Sequence, residues 1–165
     1  MVNKSLAIIW FSRTGAAKSL AEAAYQGTLS SSKIITHLVE AKDATVDLML
    51  ETDGYIFACP ENLAAIAGGM KEFFDSHYYP LLGRIEGRPY GAIIAAGSDG
   101  ENALKQLERI ATGWRLKRAM DGMIVNTQAQ TADEILAPKT VPQAKRDAAE
   151  EMGAALAAGL EMGVF

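Results

Sequence analysis

The fold of this 165-residue chain is decided near its start by the stretch Leu6-Ala7-Ile8-Ile9-Trp10-Phe11-Ser12-Arg13-Thr14-Gly15. Its first six residues form a continuous apolar run, which is typical of a strand buried on both faces of a parallel sheet. The last four break that run, and good helix formers follow from Ala16 to Gln26. The stretch therefore predicts a central strand, a loop and a helix.

The same order of strand and helix recurs along the whole chain. Apolar runs predict further strands at 34–39, 54–59, 89–96 and 122–125, and the strand at 54–59 is stopped by Pro60 and followed by a ten-residue loop. Helical periodicity predicts helices at 44–50, 70–78, 103–111 and 143–162. Parallel strands need crossover connections, so this order predicts one α/β domain over residues 1–165 with helices on both faces of the sheet.

Composition excludes several classes of function. A net charge of -4 and a pI near 5.2 argue against nucleic-acid binding, which needs many exposed basic side chains. No apolar stretch approaches the ~20 residues that cross a bilayer, so no membrane span is expected. The only cysteine, Cys59, lies in an apolar run and has no partner for an internal disulfide, which favours a reducing, cytoplasmic location.

Three predicted loops meet at the carboxyl edge of the sheet, where open parallel sheets bind ligands. In the first loop the hydroxyls of Ser12 and Thr14, the permissive Gly15 and a helix start can converge on one anion. The loop lacks the glycine spacing of a dinucleotide fingerprint and the Gly-Lys-Ser/Thr ending of a triphosphate loop, so a monophosphate fits better. The alternative is that these hydroxyls only cap the helix.

The segment Phe11-Ser12-Arg13-Thr14-Gly15-Ala16-Ala17 resembles the phosphate loop of flavodoxins and of flavodoxin-like NAD(P)H-dependent FMN and quinone reductases, whose pattern is Ser/Thr-x-Thr-Gly-x-Thr. Residues 60–63, followed by 70–75, are similar to the flavin-ring loop and next helix of those reductases, and residues 97–100 resemble their third flavin-flanking loop. The resemblance implies a flavodoxin-like three-layer α/β/α sandwich with a five-stranded parallel sheet of order 2-1-3-4-5.

The resemblance also implies FMN as cofactor and NAD(P)H as electron donor. The implied FMN-binding residues come from the three loops: Ser12, Arg13, Thr14, Gly15, Ala16 and Ala17; Pro60, Glu61, Asn62 and Leu63; Gly97, Ser98, Asp99 and Gly100. No catalytic side chain and no metal site are predicted, because His37, His77 and Cys59 are well separated in the sequence. His77 lies on the apolar stripe of its helix and is expected to be a packed residue.

The chain departs from the family pattern at several positions. Ala17 replaces a third phosphate hydroxyl, for which Lys18 or Arg13 can compensate by charge, and we expect Ala17→Thr to tighten FMN binding. Leu63 stands where the reductases often have an aromatic ring, and Ala64 where they often have glycine. Residues 97–100 contain no aromatic residue to stack on the flavin, which counts against a dedicated one-electron carrier.

Three functions remain open from the sequence. The first is an oxidoreductase that moves electrons from NAD(P)H through FMN to a quinone or another small acceptor. The second is a flavodoxin-type carrier with a redox protein as partner, and the third is a scaffold that has lost FMN. The resemblance implies a homodimer or homotetramer, for which residues 78–82, Tyr-Tyr-Pro-Leu-Leu, are a candidate interface.

Overall fold

A computed structural model describes residues 3–165 of the protein. Its strands are β1 (Lys4–Trp10), β2 (Ile34–Glu40), β3 (Gly54–Asn62), β4 (Ala65–Ile66), β5 (Pro89–Ala96), β6 (Lys117–Arg118) and β7 (Met123–Asn126). Its helices are α1 (Ala16–Thr28), α2 (Val46–Glu51), α3 (Gly68–Leu81), α4 (Glu101–Gly113), α5 (Ala132–Leu136) and α6 (Gln143–Met162), with a 3-10 turn at Ala41–Asp43. The central strands β1, β3 and β5 are almost wholly buried because helices cover both faces.

The parallel strands run in the order β2-β1-β3-β5, and both β6 and β7 pair with the far edge of β5. The predicted flavodoxin-like fold is confirmed, and the predicted order 2-1-3-4-5 corresponds to β2-β1-β3-β5-β7. The sheet nevertheless has seven strands instead of five. One extra strand is β6, which pairs with the start of β5 while β7 pairs with its end, so that this edge of the sheet is made of two short pieces.

The other extra strand, β4, changes the second predicted loop, the one that follows the strand at 54–59. β3 does not stop at Pro60 but continues to Asn62 and turns back, so that Glu61 pairs with Ile66 and Asn62 with Ala65. The prediction of a ten-residue loop was therefore wrong. The turn contains Leu63 and Ala64 instead of the Asn-Gly or Asp-Gly pair that marks such hairpins in a sequence.

The two faces of the sheet are packed differently. On one face α3 and α4 bury an aromatic cluster in which Phe57 contacts Phe74 at a ring distance of 5.2 Å and Trp114 at 6.4 Å. On the other face α1 and α6 pack closely, with the glycines Gly27 and Gly153 at their crossing. The aromatic face fixes the position of α4, and the small-residue face fixes α1, so both helices that begin at the ligand edge are firmly held.

His77 is a packed residue, as expected. Its side chain is 9% exposed, and its two ring nitrogens lie 2.9 Å from the carbonyl oxygen of Phe73 and 3.0 Å from that of Ala44. The stretch at 78–82 is divided, because Leu81 is fully buried whereas Tyr79 and Leu82 are exposed. Within residues 3–165, no helix is both long and apolar enough to cross a bilayer.

Candidate functional site

The first loop leads from β1 into α1 through Gly15. This residue has φ 101° and is the N-cap of α1, a left-handed conformation that glycine adopts without steric cost. The Ser12 hydroxyl accepts a hydrogen bond from the Gly15 N–H at 3.0 Å. No side chain among the described residues caps the first turn of α1, so its backbone N–H groups are available to an anion.

The second loop is the hairpin formed by the end of β3 and by β4. Its two turn residues, Leu63 and Ala64, have φ 51° and 61°, a strained conformation for residues with a Cβ. α4 holds the turn: the Asn102 amide donates to the Ala64 carbonyl at 2.5 Å, and the Gln106 amide oxygen accepts from the Ile66 N–H at 2.8 Å. The hairpin is therefore held by contacts within the protein itself, with Leu63 fully exposed at its tip.

The third loop joins β5 to α4. The N-cap is Gly100, with φ 97°, which has no side chain to accept from the free backbone N–H groups of the helix start. The hairpin supplies the missing acceptor, because a Glu61 carboxylate oxygen accepts from the Gly100 N–H at 2.6 Å. Asp99 adds a second contact by accepting from the Glu101 N–H at 3.3 Å. Glu61 is thus turned to the helix end, an arrangement that local sequence could not reveal.

A fourth segment, residues 127–141, crosses the site and is here called the strap. It begins where the Thr127 N–H and hydroxyl donate to the Ala96 carbonyl, at 2.7 and 3.0 Å, and it reaches the first loop where the Lys139 N–H donates to the Thr14 carbonyl at 2.8 Å. None of the strands and helices predicted from the sequence falls within this segment, and its part in the site was not predicted. The signal was present as the capping box Thr131-x-x-Glu134, which starts α5.

These four segments enclose one cavity of about 260 Å³. Residues from all three predicted loops line it: Ser12, Arg13, Thr14, Ala16, Ala17, Pro60, Glu61, Asn62, Leu63, Gly97 and Ser98. The sheet and the strap add Ala95, Ala96, Thr127, Ala129, Ile135, Leu136 and Lys139. The predicted residues Gly15, Asp99 and Gly100 are not part of this lining and lie at the two helix starts.

Two cations lie near the first loop. The Arg13 Nε donates to the Asn62 side-chain oxygen at 3.3 Å, and its guanidinium lies 5.5 Å from the centre of the Phe11 ring. Arg13 therefore joins the first loop to the hairpin at the cavity wall. Lys18 points elsewhere, over the Trp10 ring at 5.6 Å and 3.9 Å from a Glu22 carboxylate oxygen. Of the two cations expected to compensate for Ala17, only Arg13 lines the cavity.

Cys59 lies on β3 just before the hairpin and is fully buried. Desolvation raises the pKa of its thiol to about 12, so the sulfur stays protonated and unreactive near neutral pH. Among residues 3–165, no three His, Cys, Asp or Glu side chains converge as metal ligands. The arrangement can hold an anion at one end and a larger group between the hairpin and the third loop.

The strand order and the helices on both faces define a flavodoxin-like α/β protein. The sequence profile of the NADPH-dependent FMN reductase family matches residues 14–132, and the chain belongs to that family. A relative from Aquifex aeolicus (strain VF5), named flavodoxin, is 31% identical over 93 residues. That match covers 56% of this chain and spans 50% of the Aquifex protein.

Solved structures share the fold at low sequence identity. A flavodoxin from the domain Archaea superposes with a TM-score of 0.76 at 15% identity, covering 95% of this chain and 99% of that one. The Flv1 flavodiiron core from Synechocystis sp. PCC6803 gives a TM-score of 0.77 at 16% identity, covering 98% of this chain but 37% of the other. At such identities the likeness shows the fold alone.

Proposed function

We propose that this protein is an FMN-dependent oxidoreductase that takes electrons from NAD(P)H and passes them to a quinone or another small acceptor. The observation that carries the proposal is the cavity at the carboxyl edge of the sheet. There the uncapped first turn of α1 and the hydroxyls of Ser12 and Thr14 lie beside the hairpin and the third loop. Family membership supports the same reading.

The residues present fit the two ends of FMN. At the phosphate end, backbone N–H groups, two hydroxyls and the Arg13 guanidinium suit an oxyanion. The space beside Gly15 is open, since a Cβ built there would meet its nearest atom, the Lys139 carbonyl oxygen, at 3.9 Å. At the ring end, Pro60, Leu63 and Gly97 offer apolar and small surfaces. These residues would hold the cofactor.

Each part of the chain has a distinct task in this proposal. FMN supplies the redox chemistry when it is bound. The first loop anchors the phosphate, and the hairpin and third loop orient the ring. No side chain acts as acid or base: Cys59 is buried and neutral, and His77 is occupied by backbone carbonyls.

The test is an anaerobic absorption spectrum of the purified protein with bound FMN, recorded before and after NADPH, NADH and then a naphthoquinone. We expect bleaching by a nicotinamide nucleotide within seconds and recovery of the colour with the quinone. Thr14→Val removes one phosphate-side hydroxyl and should weaken FMN binding. The matched control is Thr112→Val, because the Thr112 hydroxyl bonds the Glu108 carbonyl within α4 at 2.8 Å, outside the cavity lining.

A second candidate is a flavodoxin-type electron carrier, which the name of the Aquifex relative favours. Such a carrier would bind FMN but would not accept electrons directly from NADPH or NADH. Bleaching by dithionite without bleaching by either nucleotide would therefore support the carrier and overturn the reductase. A protein that takes up no FMN in a fluorescence titration would overturn both the reductase and the carrier. It would support the third function, a scaffold that has lost FMN.

The proposal includes a cytoplasmic location, because the lone buried thiol suits a reducing compartment. It also includes a homodimer or homotetramer, for which the exposed side chains of Tyr79 and Leu82 at the C-terminal end of α3 offer apolar contact area. Light scattering after size-exclusion chromatography gives the oligomeric state directly. A monomer at micromolar concentration would contradict the proposed homodimer or homotetramer.

A further inference from the structure

We infer that Lys139 recognises the phosphate of the bound flavin nucleotide, so that the strap decides whether the site prefers FMN to riboflavin. The inference rests on the proposed FMN binding and adds to it a residue outside the three flavin loops. It also gives the strap a role in ligand selection.

The backbone places Lys139 at the phosphate end of the cavity. Its N–H donates to the Thr14 carbonyl at 2.8 Å, which fixes the strap to the first loop. Its carbonyl oxygen is the atom nearest to the space beside Gly15. Lys139 lines the same cavity as Ser12 and Ala17. A residue held at these points cannot leave the phosphate end without displacing the loop.

The ammonium of Lys139 has no carboxylate partner among residues 3–165, so its charge acts through space on an anion in the cavity. Nζ donates to the carbonyl oxygens of Glu134 at 2.5 Å, Ile135 at 2.9 Å and Ala137 at 2.6 Å, and these groups are uncharged. Glu134, an acid on the strap, uses its carboxylate to accept from the N–H groups of Gln130 and Thr131, at 2.9 and 3.0 Å, at the opposite end of α5. These backbone hydrogen bonds lower the pKa of Glu134, and the charge of Lys139 lowers it further without forming a salt bridge. Within residues 3–165, no carboxylate oxygen lies within 4.0 Å of this ammonium.

The first loop itself provides few groups that can balance the charge of a phosphate. Ala17 leaves it without a third hydroxyl, and the Lys18 ammonium is directed to Trp10 and Glu22. The Arg13 guanidinium is partly engaged with Asn62. A phosphate ester carries close to two negative charges at neutral pH, and partly desolvated charges attract strongly at short range. Lys139 adds a positive charge to a loop that has one hydroxyl fewer than the family pattern.

The experiment compares two ligands that differ only in the phosphate. FMN and riboflavin are titrated by fluorescence quenching into the full-length wild-type chain, Lys139→Met and Lys139→Arg, at two salt concentrations. The control is Lys33→Met, which makes the same charge change outside the cavity lining. The Lys33 Nζ lies 3.4 Å from a carboxylate oxygen of Glu161. Circular dichroism checks that each variant is folded.

We expect Lys139→Met to raise the Kd for FMN about tenfold and to leave the Kd for riboflavin within twofold. Lys139→Arg and Lys33→Met should stay within about threefold of wild type for both ligands. Equal weakening for the two ligands would show that Lys139 only holds the strap in place and would overturn the inference, as would an unchanged FMN affinity.

A measurement on the wild type covers the case in which Lys139→Met does not fold. Salt should weaken FMN binding and leave riboflavin binding unchanged, because screening acts on the charge pair. Equal salt dependence would also overturn the inference. A wild-type chain that binds neither flavin overturns the proposed function itself, whereas FMN binding that is indifferent to Lys139 and to salt overturns only the role of Lys139.

Discussion

Two helix starts at the ligand edge of the sheet have nearly the same backbone and opposite surroundings. α1 begins after Gly15, with φ 101° and ψ -17°, and α4 begins after Gly100, with φ 97° and ψ -15°. Each glycine follows a buried parallel strand, and neither provides a capping side chain. Both helices therefore present the positive end of their dipole at the same edge.

The difference lies in the anions that the chain itself provides. At α4, the Glu61 carboxylate accepts from the Gly100 N–H, and the Asp99 carboxylate accepts from the Glu101 N–H. At α1, the contact is a neutral hydroxyl, that of Ser12. The same turn thus becomes an internal cap at one strand end and an open anion site at the other. The placement of carboxylates decides which helix start remains open to a phosphate.

The largest effect on stability is expected when each of the two N-cap glycines, Gly100 and Gly15, is replaced by alanine. Gly100→Ala combines left-handed strain with a Cβ only 2.7 Å from Ile124 Cγ2, so we expect a loss of roughly 2–4 kcal/mol in the free energy of unfolding. Gly15→Ala has open space and should cost only about 1–2 kcal/mol from strain. Urea denaturation of the two variants gives both values. A larger loss in the free energy of unfolding for Gly15→Ala than for Gly100→Ala would contradict this difference between the two helix starts.

Glu61→Ala should expose the α4 start in the way that the α1 start is exposed. The lost charge-assisted hydrogen bond to Gly100 predicts a decrease of about 2 kcal/mol in the free energy of unfolding, again measured in urea. Glu101→Ala removes an exposed acid from the first turn of α4 without removing that bond and serves as the control. Equal losses in both variants would mean that general charge, and not the specific cap, matters at this helix.

Cys59 lies on β3, between β1 and β5, the strands that lead to the two helix starts. Because its thiol is neutral near neutral pH, it adds no further anion to this part of the sheet. Burial raises the pKa of the folded thiol from its ordinary value of 9.0 to about 12. The stabilising contribution is therefore complete below pH 9.0 and is lost as the pH rises toward 12, with a slope approaching about 1.4 kcal/mol per pH unit. Urea denaturation from pH 8 to pH 11 should show this slope in the wild type and its reduction in Cys59→Ala.

The smallest effect concerns the hydroxyls at the open helix start. Ala17 is 1% exposed, so Ala17→Ser adds the missing hydroxyl with less crowding than Ala17→Thr. We expect Ala17→Ser to tighten FMN binding and Thr14→Ala to weaken it, each by about 1 kcal/mol or roughly fivefold. Fluorescence quenching measures both affinities. The same affinity in wild type and both variants would place the phosphate elsewhere.

Much of this architecture can be predicted from local sequence. Continuous apolar runs such as Leu6–Phe11 specify buried parallel strands, and the Ser12–Gly15 loop marks the carboxyl edge as a ligand site. The hairpin escaped prediction because Leu63 and Ala64 carry no turn signature. Their strained turn is held by Asn102 and Gln106 on a distant helix.

Local patterns also explain why the loops meet, since the ends of parallel strands converge on one edge. They do not decide which helix start stays open, because Glu61 reaches Gly100 across 39 residues of sequence. Nor do they bring Lys139 to Thr14, a contact made only when the strap crosses the folded sheet edge. Short-range patterning specifies strands, turns and helix starts, whereas the distribution of charge around them arises from contacts between segments far apart in the chain.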